Sequence, residues 1–222
     1  MEGGATFNVK VTTFKDIPWR TVVRQQYDYS CGSAALATLL HYHYGKPVTE
    51  AEVFKAMYAT GDQDKIRKVG FSLLDMKRYL EANGFSADGY KLDMEELADL
   101  KAPAIAVISI NNYKHFVVIK GMQGGRVLIG DPAQGLKTYS REEFVAMWNG
   151  IVFLVNEGPA QQVVYNRSEE WNPWPKAPLS HPINNASLSD FTRELPPMYQ
   201  VSGALDIDPY IAGDLPVSRT LP

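Results

Sequence analysis

Proline is spread unevenly along these 222 residues, and that unevenness constrains the fold more than any other single feature. Of the 14 prolines, four lie in residues 1–157 and ten in residues 158–222. Proline removes a backbone donor and fixes φ, so the density in 158–222 excludes long helices and central strands there. The packed domain is therefore expected in 1–157, with an irregular extension over 158–222. The extension also holds Trp171, Trp174, Phe191, Tyr199 and Tyr210. A solvated tail is poor in aromatics, so an arm packed on its own domain or on a partner is expected, the alternative being a disordered tail.

Within 1–157 the order of local signals is helices first, strands after. Residues 1–23 read as short extended segments such as Phe7–Val11. Thr49-x-x-Glu52, Ser72-x-x-Asp75, Asp93-x-x-Glu96 and Ser140-x-x-Glu143 are capping boxes, each opening a helix. The first of these helices runs to about Tyr58, and the second stops at Asn83-Gly84. Strand-forming runs lie near 104–110, 115–121, 126–130 and 151–155, and Gln123-Gly124-Gly125 makes a hairpin turn. This pattern predicts an α+β domain, a helical lobe followed by an antiparallel sheet.

Composition removes several classes of function. Hydrophobic residues make up 45% and charged residues 21%, with a net charge of −3. No basic block suits nucleic acid or an anionic membrane surface, and no apolar run approaches the ~18–20 residues needed to span a bilayer. No His/Cys/Glu cluster has ligand spacing, so neither metal nor cofactor is expected. The N-terminus shows neither a basic nor an apolar signal region. The expected location is periplasmic if a signal peptide preceded Met1, and cytoplasmic otherwise.

Cys31 is the only cysteine, so it makes no intrachain disulfide. It follows Ser30, a good helix N-cap residue, and precedes Ala34-Ala35-Leu36-Ala37, a strong helix-forming stretch ending near Tyr44-Gly45. Cys31 is thus placed in the first turn of a helix, where free N–H groups and the positive end of the macrodipole favour a thiolate. The competing reading is a small buried hydrophobe.

A cysteine nucleophile needs a base, an orienting group and an oxyanion donor. Of the four histidines, His41 and His43 lie late in the Cys31 helix and His181 lies in the proline-rich region. His115 opens the strand His115–Ile119, which makes it the preferred base. The next strand ends at Asp131-Pro132, and antiparallel pairing brings that end back near His115. Asp131 can then orient the imidazole, although Asp-Pro is also an ordinary turn. Gln25 or Gln26, on the loop entering the Cys31 helix, can supply a side-chain amide to an oxyanion.

Taken together, Gln25-x5-Cys31-Gly32-x-Ala34-x-Leu36, His115-Phe116-Val117-Val118-Ile119 and Asp131-Pro132-Ala133-x-Gly135 resemble the bacteriocin-processing, double-glycine cysteine peptidases. This is a papain-like family often fused to peptide-exporting ABC transporters. The resemblance covers about residues 20–156. It implies a papain-like fold, Cys31 as nucleophile, His115 as base, Asp131 as orienter and Gln25 as oxyanion donor. Ser30 stands where many members carry Asp. These 222 residues hold no transporter, so a stand-alone member is expected, similar to those encoded with secretion systems for extracellular fibres, functional amyloids among them.

The expected function is endoproteolysis of a secreted peptide or protein precursor after a Gly-Gly pair, with that precursor and an export machinery as partners. The Gly-Gly preference rests on the resemblance. Two alternatives are a leader-binding module that does not cut, and a transglutaminase-like acyl transferase.

Overall fold

In the computed structural model, residues 13–27, 29–110, 113–159 and 162–172 are described. The extended run at Phe7–Val11, His181, and Trp174, Phe191, Tyr199 and Tyr210 of the extension lie outside them.

The first helix, α1 (Cys31–His43), is buried on almost every side, with Ala34 to Leu40 all inaccessible. A helix that is apolar or small all round can only be central, and α1 is the element on which the helical lobe assembles. Around it lie α2 (Glu50–Thr60), α3 (Gln63–Val69) and α4 (Leu73–Ala82). Chain order then runs β1 (Ser86–Lys91), α5 (Met94–Leu100), β2 (Ala104–Ile110), β3 (Tyr113–Gln123), β4 (Arg126–Asp131), β5 (Gly135–Ser140), α6 (Arg141–Met147), β6 (Trp148–Glu157) and α7 (Ser168–Trp171).

All four capping boxes read from the sequence form in both directions: at Thr49/Glu52, Ser72/Asp75, Asp93/Glu96 and Ser140/Glu143. The helix stops at Tyr44-Gly45 and Asn83-Gly84 also fall where expected.

The six strands form one antiparallel sheet in the order β1-β6-β2-β3-β4-β5. Two apolar clusters account for its faces. One joins Leu36, Leu39 and Leu40 of α1 to Val53, Met57, Met76, Leu80, Ile105, Val118 and Phe153. The other joins Met94, Leu97 and Phe144 to Ala106, Val117, Ile119, Val127 and Ile129. Each large buried side chain contributes roughly 1.5–3 kcal/mol of transfer free energy, so the central strands, apolar on both faces, tie the two layers together.

Four elements depart from the sequence reading. Helix α3 buries only Ile66 and so shows no apolar period; its signals are Asp62, whose side chain accepts from Lys65 N–H, and Gly70 at φ +79°. Strands β1 and β5 are the two edges of the sheet, defined by backbone pairing with β6 and β4 rather than by alternation. The last is α7, four residues that end before the proline cluster begins at Pro173. Residues 13–23 are turns and a 3-10 segment, Ile17–Trp19, instead of extended chain. Pro18, near its start, has φ preset for such a turn.

Candidate active site

Cys31 opens α1 and is buried, at 4% exposure, in the wall of a groove of about 690 Å³ shared with Phe71, Leu73, Val107, Tyr113 and Phe116. Ser30 holds the N-cap position, but its hydroxyl does not cap the helix. It donates to Glu50 Oε1 at 2.5 Å and accepts from Tyr27 N–H at 3.1 Å. The sequence-based expectation of a serine cap is corrected to that extent: a buried carboxylate competes successfully for the hydroxyl. The first-turn N–H groups, Cys31's own among them, therefore remain without that side-chain acceptor.

Gly32 explains the second letter of the Cys-Gly pair. A Cβ built there would stand 2.8 Å from Met76 Cε and 3.1 Å from Phe71 Cβ. The first turn of α1 is pressed against α4 and the loop before it, and only hydrogen fits between.

His115, near the start of β3, is 5% exposed. Its Nε2–H donates to Asp131 Oδ1 at 2.8 Å, and the Cys31 side chain interacts with the ring. With Nε2 engaged by the carboxylate, Nδ1 is the nitrogen left for sulfur. Burial opposes charge on the ring, but the Asp131 carboxylate and the Cys31 sulfur outweigh it and raise the His115 pKa to about 9. Asp131, the last residue of β4, is 1% exposed, and its Oδ1 also accepts from Ala133 N–H at 2.7 Å. That second bond, an Asx turn closed within Asp-Pro-Ala, holds the carboxylate in place.

The same turn receives the loop that leads to Cys31, because Gln25 N–H donates to Pro132 O at 2.9 Å. Gln25 consequently lines a cavity of about 370 Å³ together with His115, Tyr113 and Ala133. One of its amide protons goes to Tyr27 O at 3.1 Å, which leaves the second as an available donor. Gln26 faces a different pocket, beside Tyr27, Glu50 and Phe54, and its N–H donates to Glu50 Oε1. At Gly135, which closes the Asp-Pro-Ala-x-Gly motif, φ is +82° and an added Cβ would lie 2.6 Å from Pro18.

The chain thus brings Cys31, His115 and Asp131 into contact and sets Gln25 beside them. Of the other histidines, His41 is exposed and His43 is buried at the far end of α1. Two residues at the site were not singled out from sequence. Glu50, 3% exposed, anchors the loop between Gln25 and Cys31 through Gln26 N–H and Ser30 Oγ; in the sequence it is indistinguishable from any first-turn helix glutamate. Tyr113 borders both the groove and the Gln25 cavity. Among the described residues no group of three His, Cys, Asp or Glu could hold a metal ion, and no helix is long and apolar enough to cross a membrane.

A thiol, an imidazole and a carboxylate linked in that order can move a proton from sulfur to ring and stabilise the charge that results. Comparison with known proteins agrees with that chemistry. Residues 19–160 match the Peptidase C39 family. The chain is 42% identical over 200 residues to a protein of Pseudomonas fluorescens named "Probable functional amyloid protease FapD", covering 86% of this chain and 85% of that one. Its namesake in Pseudomonas aeruginosa is 45% identical over 155 residues, 70% of this chain and 69% of that one. Among solved structures, the peptidase domain of Streptococcus ComA, a bifunctional ABC transporter of a quorum-sensing pathway, superposes with a TM-score of 0.52 at 28% identity. It covers 61% of this chain and 96% of that domain. A double-glycine motif protease from an AMS/PCAT transporter, solved with its leader peptide, gives a TM-score of 0.51 at 31% identity, over 60% and 89% of the two chains. On the strength of the match over residues 19–160 and of these relatives, the chain belongs to the peptidase C39 family, cysteine peptidases of papain-like fold.

Proposed function

We propose that the protein cuts a secreted precursor after a Gly-Gly pair, using Cys31 as nucleophile, His115 as base and then acid, Asp131 as orienter and Gln25 as oxyanion donor. The observation that carries this reading is the Cys31–His115–Asp131 set itself, three residues remote in sequence brought together, with His115 bonded to Asp131 and paired with the Cys31 side chain that lines the groove. His115 takes the thiol proton on Nδ1, and the thiolate attacks the scissile carbonyl. The tetrahedral oxyanion is held by the Cys31 N–H and the free amide proton of Gln25. As that intermediate collapses, the peptide C–N bond breaks and the ring returns its proton to the leaving amine. His115 then activates the water that hydrolyses the thioester.

The Gly-Gly preference is supported by the side chains around sulfur. Phe71, Val107, Tyr113 and Phe116 share the groove with Cys31, and residues without Cβ pass most easily between such walls. Leu73, Val69 and Ile151 extend the same groove with apolar surface suited to a leader segment upstream of the cut. The names of its relatives, a probable functional amyloid protease and a double-glycine motif protease of a transporter, support a precursor bound for export.

The test is incubation with exported precursors carrying a Gly-Gly leader, read by mass spectrometry of new termini. One cut after Gly-Gly is expected, blocked by alkylation of Cys31 and unaffected by EDTA. Transamidated products, or tight binding with no product, would replace this reading with acyl transfer or with a leader-binding module.

A further inference from the structure

At the opposite end of α1 and β3 lies a second buried ionic cluster that the reaction does not use. Lys120 of β3 is wholly buried, in a strand run otherwise apolar from Phe116 to Ile119. Its ammonium donates to Thr21 O at 2.9 Å and to His43 Nε2 at 3.1 Å. Among the described residues the carboxylate that pairs with it is Glu170, 3.1 Å away and itself 3% exposed. Burial lowers the Lys120 pKa to about 8 although Glu170 pulls it up, and burial beside Lys120 pushes His43 down to about 3, so the imidazole is neutral.

Glu170 comes from the segment 162–172, beyond the last strand. This segment bonds to α1 and β3 alternately. Val164 N–H donates to His43 O at 2.9 Å and receives His43 Nδ1–H on its carbonyl at 2.5 Å. Arg167 donates to Tyr42 O at 3.3 Å. Asn166 N–H donates to Lys120 O at 2.8 Å, and its side chain reaches Met122 O at 3.4 Å. Gly121 is shaped by this contact, since a Cβ there would stand 2.4 Å from Asn166 Oδ1, and Gly130 leaves room for Lys120 itself, whose Cδ would stand 2.9 Å from an added Cβ.

The lengths complete the argument. From Cys31 to His43, α1 extends about 18 Å at ~1.5 Å per residue. From His115 to Lys120, β3 extends about 17 Å at ~3.4 Å per residue. Two members of nearly equal length are therefore joined at one end by Cys31–His115 and at the other by His43–Lys120. Pinning the far ends together sets the slide of helix against strand, and so sets the near ends. We propose that residues 162–172 form a strap that holds α1 and β3 in the register placing Cys31 against His115, with Glu170 a positioning residue acting through Lys120.

The proposal rests on the peptidase reading for its purpose, but its test need not use a substrate. Iodoacetamide labelling of Cys31 in the full chain, followed against pH, reads the sulfur–imidazole pairing directly, with His115→Ala marking the unpaired profile and circular dichroism reporting the fold. Glu170→Gln, the volume-conserving pair Lys120→Met with Glu170→Met, and Asn166→Ala (which leaves every charge in place) vary the strap in three ways. Folded variants are expected to lose about tenfold of the labelling rate at pH 6 relative to pH 9, the change of one pKa unit. On a leader peptide, kcat should fall roughly ten- to a hundredfold, as for an ångström of misplacement, with KM little changed. Glu170→Asp should recover part of both. Any folded member of the set that keeps the wild-type profile and kcat overturns the strap, whatever its melting temperature. Wild-type labelling that depends on His115 without precursor cleavage would overturn the peptidase reading and leave the strap standing. A wild-type profile equal to that of His115→Ala would overturn both.

Discussion

Asp131 does two things with one oxygen: it accepts from His115 Nε2–H and from Ala133 N–H at Oδ1, while Oδ2 is buried with no hydrogen-bond partner among the described residues. Asp131→Asn would keep the shape but offers N–H where the ring also presents N–H, so the imidazole is driven to the wrong tautomer. A loss of roughly 10²–10⁴ in kcat with the fold retained is expected, against near-complete loss for His115→Ala. Gln25→Ala should cost roughly 2–4 kcal/mol of transition-state stabilisation, read from kcat/KM. Gln26→Ala should stay near wild type, because Gln26 uses its backbone on Glu50 and turns its side chain to another pocket. Equal damage from the two glutamine variants would reassign the donor. The two glutamines are adjacent and chemically identical, and what separates them is a backbone bond from Gln25 to Pro132, more than 100 residues away in the chain.

At the scale of elements, the first turn of α1 is placed by what presses on it. Gly32→Ala adds one methyl group where Met76 Cε and Phe71 Cβ already stand at 2.8 and 3.1 Å. Met76 is flexible and can yield, but Phe71 is held by its own backbone at the groove wall. The turn should back away from α4 and carry Cys31 off the His115 axis. The expected result is a fall of roughly 10²-fold in kcat with a stability cost of about 1–3 kcal/mol for overpacking. Circular dichroism melts and single-turnover kinetics separate the two, and an unchanged kcat would mean that the turn has slack. The elements themselves were legible where signals are local: four capping boxes and the Gly-Gly hairpin all formed where the residues place them. The edge strands β1 and β5 were not, because an edge strand is defined by its partner and polar residues such as Ser86 to Lys91 carry no alternation.

In the whole molecule, the two buried clusters make opposite pH demands. His115 is raised from 6.5 to about 9, so its contribution to stability is full below pH 6.5 and disappears as pH rises through 9. Lys120 is lowered from 10.5 to about 8, so the unfolded chain binds the extra proton between those values and stability rises with pH across that window. Each effect amounts to roughly 3 kcal/mol at most. In urea titrations, the advantage of the wild type over His115→Asn should therefore shrink between pH 6.5 and 9, and Lys120→Met should lack the wild type's gain between pH 8 and 10.5. A pH-independent gap in either comparison would sink the corresponding assignment. Lys120 also marks the boundary of what could be read in advance. The sequence by itself determined the layer order, the helix starts, the cysteine at a helix N-terminus and the histidine at the head of a strand, since each depends on neighbours a few residues away. Lys120 lies inside an apolar strand, and nothing within a few residues of it in the sequence indicates its partner. Tertiary structure alone decided that Lys120 meets Glu170, that Ser30 serves Glu50 in place of its own helix, and that Gln25 is tied to Pro132 in the turn beside His115. Those are pairings between residues 20 to more than 100 positions apart, and a pairing at such distance is settled by packing and by the cost of leaving a buried charge unanswered.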